Sequence, residues 1–111
     1  MFLKLIEIVE PMQNVVATAE VEDKGDYYSG SVNLDKMPEA LRLEFEEYEL
    51  LINDGVFSLI DQIEEQIGID SFTVVFEGDT KFYVDDLQIF PRAGTISFKV
   101  SKQILHKSAL S

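Results

Sequence analysis

A single apolar stripe with helical spacing runs through the middle of the chain. Asn53-Asp54-Gly55 is typical of a turn, yet the stripe passes through it in phase. The pattern therefore predicts one long helix over residues 38–67, kinked at Gly55 and ended by Gly68. The members of the stripe recur every three or four residues: Leu41, Phe45, Tyr48, Ile52, Val56, Leu59, Ile63 and Ile67.

Strand patterns lie on both sides of this helix. Alternating apolar and polar residues, separated by turns such as Asp23-Lys24-Gly25-Asp26, predict strands over 2–9, 14–22, 27–34, 72–76, 81–90 and 96–100. The first strand has apolar residues on both faces, which indicates an inner strand covered on both sides or a partner on one of them. The order βββ-α-βββ predicts one α+β domain over residues 1–111. In it, an antiparallel sheet of about six strands packs on one long helix.

Charge limits the class of partner. The 111 residues include 21 acidic and nine basic side chains, a net charge of −12. Such a surface repels nucleic-acid phosphate and anionic lipid and attracts basic proteins, so we expect no nucleic-acid or membrane partner. The chain has no cysteine, which excludes disulfides and indicates a reducing compartment. No run of about 18 apolar residues is present, so the prediction is a soluble, cytoplasmic protein.

The segment Lys81–Phe90, KFYVDDLQIF, contains the one motif that suggests a reaction. Tyr-Val-Asp-Asp between hydrophobic strands resembles the signature with which reverse transcriptases hold two divalent metals. A polymerase also needs a further acidic residue on a neighbouring strand, a basic template channel and a much longer chain. The apolar phase instead slips by one residue at Asp85-Asp86, which predicts a β-bulge.

The sequence contains little that supports catalysis by histidine or binding of phosphate by a glycine-rich loop. The one histidine, His106, lies in the tail without cysteine partners, and the six glycines are scattered singly, so no phosphate-binding loop is visible. We therefore predict a protein that is not an enzyme and binds no cofactor.

Seven acidic residues of the predicted helix gather opposite its apolar stripe, with Arg42 as the only base on the helix. Like charges four residues apart destabilise a helix, so this ridge has a cost. Leu43, Leu50 and Phe57 lie seven residues apart in the middle of it. Either another part of the chain, such as the tail or the first hairpin, covers these three side chains, or they form an interface. The ridge comprises Glu39, Glu46, Glu47, Asp54, Asp61, Glu64 and Glu65.

Four stretches of the sequence resemble a known type of protein. They are Met37–Glu49 (MPEALRLEFEEYE), Val56–Glu65 (VFSLIDQIEE) and the later DDLQIFP with ISFKV. Together they resemble a group of small acidic bacterial proteins of unassigned function. In size, charge and layout the chain is similar to immunity proteins of contact-dependent and polymorphic toxin systems. That resemblance implies binding to a cognate toxin, often a basic nuclease, and blockage of its active site or an adjoining surface.

The leading hypothesis is thus a non-enzymatic immunity protein that neutralises a basic, nuclease-like toxin by occlusion. A self-assembling structural or regulatory domain, such as a homodimer formed through a helix pair, is the second hypothesis. A metal-binding protein that uses carboxylates around Asp85-Asp86, Glu77 and Asp79 is the third. The contact surface predicted by the first hypothesis is Leu43, Glu46, Glu47, Leu50, Asp54, Phe57 and Asp61.

Overall fold

The computed structural model of the protein describes residues 3–104. The six predicted strands are all present, and their bounds agree with the sequence patterns to within a few residues. Phe2, His106 and the tail beyond residue 104 lie outside the described residues. The elements are β1 (Lys4–Val9), β2 (Val15–Asp23), β3 (Tyr28–Asn33), α1 (Glu39–Asn53), α2 (Phe57–Ile67), a 3-10 turn (Ile69–Ser71), β4 (Thr73–Phe76), β5 (Thr80–Phe90) and β6 (Thr95–Ile104).

The strands form a closed antiparallel barrel in the order β1-β2-β3-β6-β5-β4. Two three-stranded meanders are joined at two seams, where β1 pairs with β4 and β3 pairs with β6. The predicted open sheet packed on one long helix is therefore wrong, although helices and antiparallel strands are both present. Closure pairs the outer strands of the two meanders with each other and so removes the sheet edges.

The outer face of β1 excludes one of the two predictions for this strand, that the chain covers both of its faces. Ile6 and Ile8 point into the barrel and are buried, whereas Leu3 and Leu5 are each 56% exposed. β1 is therefore a barrel strand with one exposed face, and no part of residues 3–104 covers that face.

A glycine permits the close approach of β3 to β2. Gly30 pairs with Val21 on one side and Ile96 on the other. A Cβ atom at this position would lie 1.8 Å from the backbone oxygen of Glu20. Only glycine allows the two backbones to approach this closely.

The predicted single helix is two helices. α1 ends at Asn53, Gly55 takes a φ of 70°, and α2 begins at Phe57. Gln66 donates a 2.9 Å hydrogen bond to Glu44, and Tyr48 donates a 2.7 Å hydrogen bond to Glu64, so α2 runs back along α1. Of the predicted core stripe on α2, Ile63 and Ile67 are buried, whereas Leu59 is 45% exposed.

The predicted β-bulge at Asp85-Asp86 is confirmed. Asp85 pairs with Lys99 and Gln88 pairs with Ser97, so two residues of β5 lie opposite one residue of β6. Asp86 has a φ of 53°, and its neighbour Leu87 returns to the buried face of the strand. The bulge therefore keeps the acidic pair outside the barrel.

The helical hairpin packs on the barrel through its apolar side chains. Phe45, Ile63 and Ile67 are buried in the core that they share with the strands, and the Phe45 ring meets the Phe72 ring edge-on at 6.1 Å. Within residues 3–104, no helix is long and apolar enough to cross a membrane.

Candidate protein-binding surface

The three apolar residues of the predicted interface are exposed. The exposed fraction is 51% for Leu43, 44% for Leu50 and 75% for Phe57. The first hairpin, β2 and β3, does not cover them, and neither does any other segment of residues 3–104. The tail beyond residue 104, the other predicted cover, lies outside the described residues. The interpretation that the first hairpin buries these side chains is therefore wrong.

Four of the predicted residues share one face of α1. Leu43, Glu46, Glu47 and Leu50 are spaced by three and four residues, so they lie on the same side of the helix. The buried residues of α1, Phe45, Tyr48 and Glu49, lie on the opposite side, against the barrel. This face therefore points away from the core.

The other three predicted residues lie at the turn and on α2. Asp54 caps the C-terminus of α1, with its N–H 2.9 Å from the oxygen of Leu50. Phe57 opens α2, and Asp61 follows one turn later; both are exposed. Because the chain reverses at Gly55, these residues do not continue the ridge of α1 along one axis. We use "hairpin surface" for Leu43, Glu46, Glu47, Leu50, Asp54, Phe57 and Asp61.

The acidic residues of the hairpin are compensated unevenly. Arg42 pairs with Glu46 and lies 3.7 Å from Glu39, so the Glu46 carboxylate is partly neutralised within α1. Among the described residues, Glu47, Asp54 and Asp61 have no ion-pair partner. The hairpin surface therefore retains a negative field around its apolar residues.

Glu64, predicted on the outer ridge, instead faces α1. Its carboxylate accepts the Tyr48 hydroxyl hydrogen bond between the helices. Burial raises the pKa of the Tyr48 phenol well above its usual value of 10.0, and the hydrogen bond to Glu64 raises it further. Tyr48 is therefore neutral and a donor throughout the ordinary pH range.

Glu49 is a residue that the ridge argument did not identify. Its side chain is only 4% exposed and accepts hydrogen bonds from the backbone N–H groups of Arg92 at 2.9 Å and Ala93 at 3.2 Å. These two hydrogen bonds join α1 to the turn between β5 and β6 and fix the hairpin of α1 and α2 on the barrel. The sequence did indicate that Glu49 faces the barrel, because it lies four residues after Phe45 and so on the same side of the helix as the apolar stripe.

The carboxylates of the third hypothesis do not converge. Within residues 3–104, no three acidic or histidine side chains lie close enough to hold a metal ion together. Asp86 lies 3.6 Å from the Lys99 ammonium group instead, and Asp85, Glu77 and Asp79 are exposed.

Comparison with known proteins finds no relative: no family model, no curated protein and no solved structure matches the chain.

Proposed function

We propose that this protein is a non-enzymatic binding domain that holds a basic protein on its hairpin surface, in the role of an immunity protein against a nuclease-like toxin. Inhibition occurs by occlusion: the bound hairpin covers the toxin's active site or the surface next to it. No catalytic group of the protein takes part.

The exposure of Leu43, Leu50 and Phe57 is the observation that carries this proposal. Large apolar side chains that are exposed among charged groups are typical of binding hot spots, because their burial in a complex removes them from water. Phe57 is the most exposed of the three at 75%, so it has the most apolar area to bury against a partner.

The charge around these residues supports a basic partner. Glu47, Asp54 and Asp61 are exposed beside the apolar side chains, on a chain of net charge −12. Carboxylates at the rim accelerate encounter with a positively charged protein and disfavour an acidic one. The same repulsion counts against two hairpin surfaces meeting face to face, which disfavours a homodimer through this surface.

The test is a pull-down from a lysate of the source cell that compares three forms of the protein as bait. They are the wild type, the triple variant Leu43→Ser, Leu50→Ser, Phe57→Ser, and a matched control, Leu3→Ser, Met12→Ser, Tyr83→Ser. The control residues are exposed to a similar degree, at 56%, 80% and 46%, but lie outside the hairpin. We expect the wild type and the control to retain one basic protein that elutes as salt rises, and the hairpin variant to lose it.

The captured protein is then assayed for nuclease activity with and without added bait. Inhibition by the wild type and the control, but not by the hairpin variant, supports the immunity role. Equal capture by all three baits contradicts the proposed surface. A salt-insensitive dimer in sedimentation, with no captured protein, favours self-assembly instead.

A further inference from the structure

A small pocket lies where the turn between β1 and β2 meets the two helices and the 3-10 turn. Its volume is about 230 Å³, below the usual range for drug-sized ligands, so it suits a small molecule. The pocket shares no residue with the hairpin surface.

The floor of the pocket is apolar. Val16, Ile67 and Phe72 are buried core residues that reach the pocket, and Leu41 lies half-buried beside them. A hydrocarbon group that enters the pocket therefore leaves water and contacts apolar side chains on several sides, which favours binding.

The charge of the pocket comes from Glu10, and the turn between β1 and β2 holds this residue in place. Its Oε1 accepts a 2.8 Å hydrogen bond from the N–H of Asn14, and its own N–H donates to the Asn14 carbonyl at 3.0 Å. The carbonyl of Glu10 also accepts the N–H of Gln13 at 2.9 Å. The carboxylate is thus positioned before a ligand binds, and a ligand can use its second oxygen, Oε2.

Most of the other polar groups in the wall accept hydrogen bonds and do not donate them. Ser71 uses its hydroxyl proton in a 2.6 Å hydrogen bond to the Gly68 carbonyl, so its oxygen offers only lone pairs to a ligand. Pro11 and Pro38, which also line the pocket, have no N–H group. An ammonium group therefore finds acceptors here, whereas a carboxylate or phosphate meets the charge of Glu10 and few donors.

The helix ends beside the pocket do not reverse this preference. α1 begins there, after Pro38, and the N-terminus of a helix favours anions. α2 ends there at Ile67, and the C-terminus of a helix favours cations. The two helix dipoles oppose each other at the pocket, so the Glu10 carboxylate sets the sign of its field.

We propose that this pocket binds a small primary amine with a short hydrocarbon chain. The hydrocarbon chain packs against Val16, Ile67 and Phe72. The ammonium group donates a hydrogen bond to the Glu10 carboxylate, with the Ser71 oxygen as a second acceptor. This inference does not depend on the proposed function, because it involves neither the hairpin surface nor a protein partner.

A titration of the ¹⁵N-labelled protein, followed by amide chemical shifts, tests the proposal. The probes are n-pentylamine, n-pentanol and pentanoate, which share a short hydrocarbon chain and differ in their polar group, at constant pH and ionic strength. The pocket amides are those of residues 10, 14, 41, 67 and 72. We expect pentylamine to shift them in a saturable way, pentanol to bind roughly tenfold more weakly, and pentanoate not to bind.

Two variants separate the pocket from general attraction to an acidic protein. Glu10→Gln removes the charge but keeps an oxygen that can accept the Asn14 N–H, and it should weaken pentylamine binding roughly tenfold while pentanol binds as before. Glu7→Gln is the matched control, because it makes the same charge change at an exposed position of β1 outside the pocket. It should leave the affinity for pentylamine within about twofold of wild type, since solvent and salt screen distant exposed charges.

Three results would overturn the proposal. The first is the absence of saturable shifts at the pocket amides, including the case in which pentylamine shifts only the amides of the hairpin surface. The second is equal affinity for pentylamine and pentanol, which would mean that the pocket does not recognise the ammonium group. The third is equal weakening by Glu7→Gln and Glu10→Gln, which would show that the amine responds only to the net charge of −12.

Discussion

The hydroxyl of Tyr48 on α1 donates a 2.7 Å hydrogen bond to the carboxylate of Glu64 on α2. Tyr48 is only 1% exposed, so this polar group is buried between the helices with a charged acceptor. The pair therefore fixes how the two helices meet, and through them the relative placement of Leu50 and Phe57.

Tyr48→Phe should lower the free energy of unfolding by roughly 1.5–3 kcal/mol, the range for loss of a hydrogen bond to a charged group. The aromatic packing is retained, so the loss isolates the hydroxyl. Urea denaturation measures it, and Tyr83→Phe, at a 46% exposed position, serves as the control with almost no effect. Equal stability of the two variants would show that the bond between the helices contributes nothing.

The protein should lose stability at alkaline pH. Burial, then the bond to Glu64, raises the pKa of Tyr48 in the folded state above the unfolded value of 10.0. The stabilisation is therefore complete below pH 10 and is lost as the pH rises through the folded pKa, because the unfolded chain ionises first. Denaturation between pH 8 and about 11.5 measures the slope, and Tyr48→Phe should be less steep than the wild type. Burial also raises the pKa of Tyr28, so some slope remains in that variant.

Glu49→Ala should destabilise the protein by roughly 3 kcal/mol, because it leaves the backbone N–H groups of Arg92 and Ala93 without their acceptor. Glu47→Ala is the matched control, two residues earlier on the exposed face of the same helix, and should change stability by less than about 0.5 kcal/mol. Amide hydrogen exchange at residues 92 and 93 should accelerate in the Glu49 variant alone. Unchanged exchange there would contradict the role given to this carboxylate.

Gly30→Ala should cost on the order of 3 kcal/mol or prevent folding, because the new methyl group would collide with the Glu20 backbone oxygen. Ser31→Ala, the next residue on the same strand and exposed, should be nearly neutral. Thermal unfolding followed by circular dichroism separates the two variants. A fully stable Gly30→Ala protein would show that β2 and β3 can separate without loss of the barrel.

Replacing Leu43, Leu50 and Phe57 together by alanine should leave the free energy of unfolding within about 1 kcal/mol of wild type, since all three are exposed. Phe45→Ala on the same helix, at a position with 0% exposure, should cost roughly 3–5 kcal/mol. Urea denaturation compares the two. Unfolding of the triple variant would place the three side chains in the core and remove the hairpin surface as a binding site.

The sequence predicted the elements of this fold better than their assembly. The strands and the bulge at Asp85-Asp86 follow from local alternation, which is set by side chains facing the core or water. Barrel closure was not predictable in this way, because the pairing of Ile6 with Phe76 joins residues that are distant in the chain and leaves no periodic signature.

The helical break shows a different limit. Apolar spacing continues in phase across Gly55, but a glycine with positive φ reverses the chain and starts a second axis. A helical projection that spans the break assigns Leu59 to the core and Glu64 to the outer ridge, and both assignments are wrong. The position of Leu43 and Leu50 on the helix face away from Phe45 was predictable, because all three precede the break and share the axis of α1.

The two seams of the barrel also affect how the chain folds during synthesis. Strand β1 meets β4, and strand β3 meets β6, across roughly 70 residues of chain, and such distant pairings form slowly. Until β4, β5 and β6 have been synthesised, β1 and β3 lack the strands with which they pair at the seams, and unpaired strand edges favour wrong association between chains. The hairpin of α1 and α2 is made of local contacts, so it can fold before β4, β5 and β6 are synthesised. It then forms a folded unit between β3 and the strands that complete the barrel.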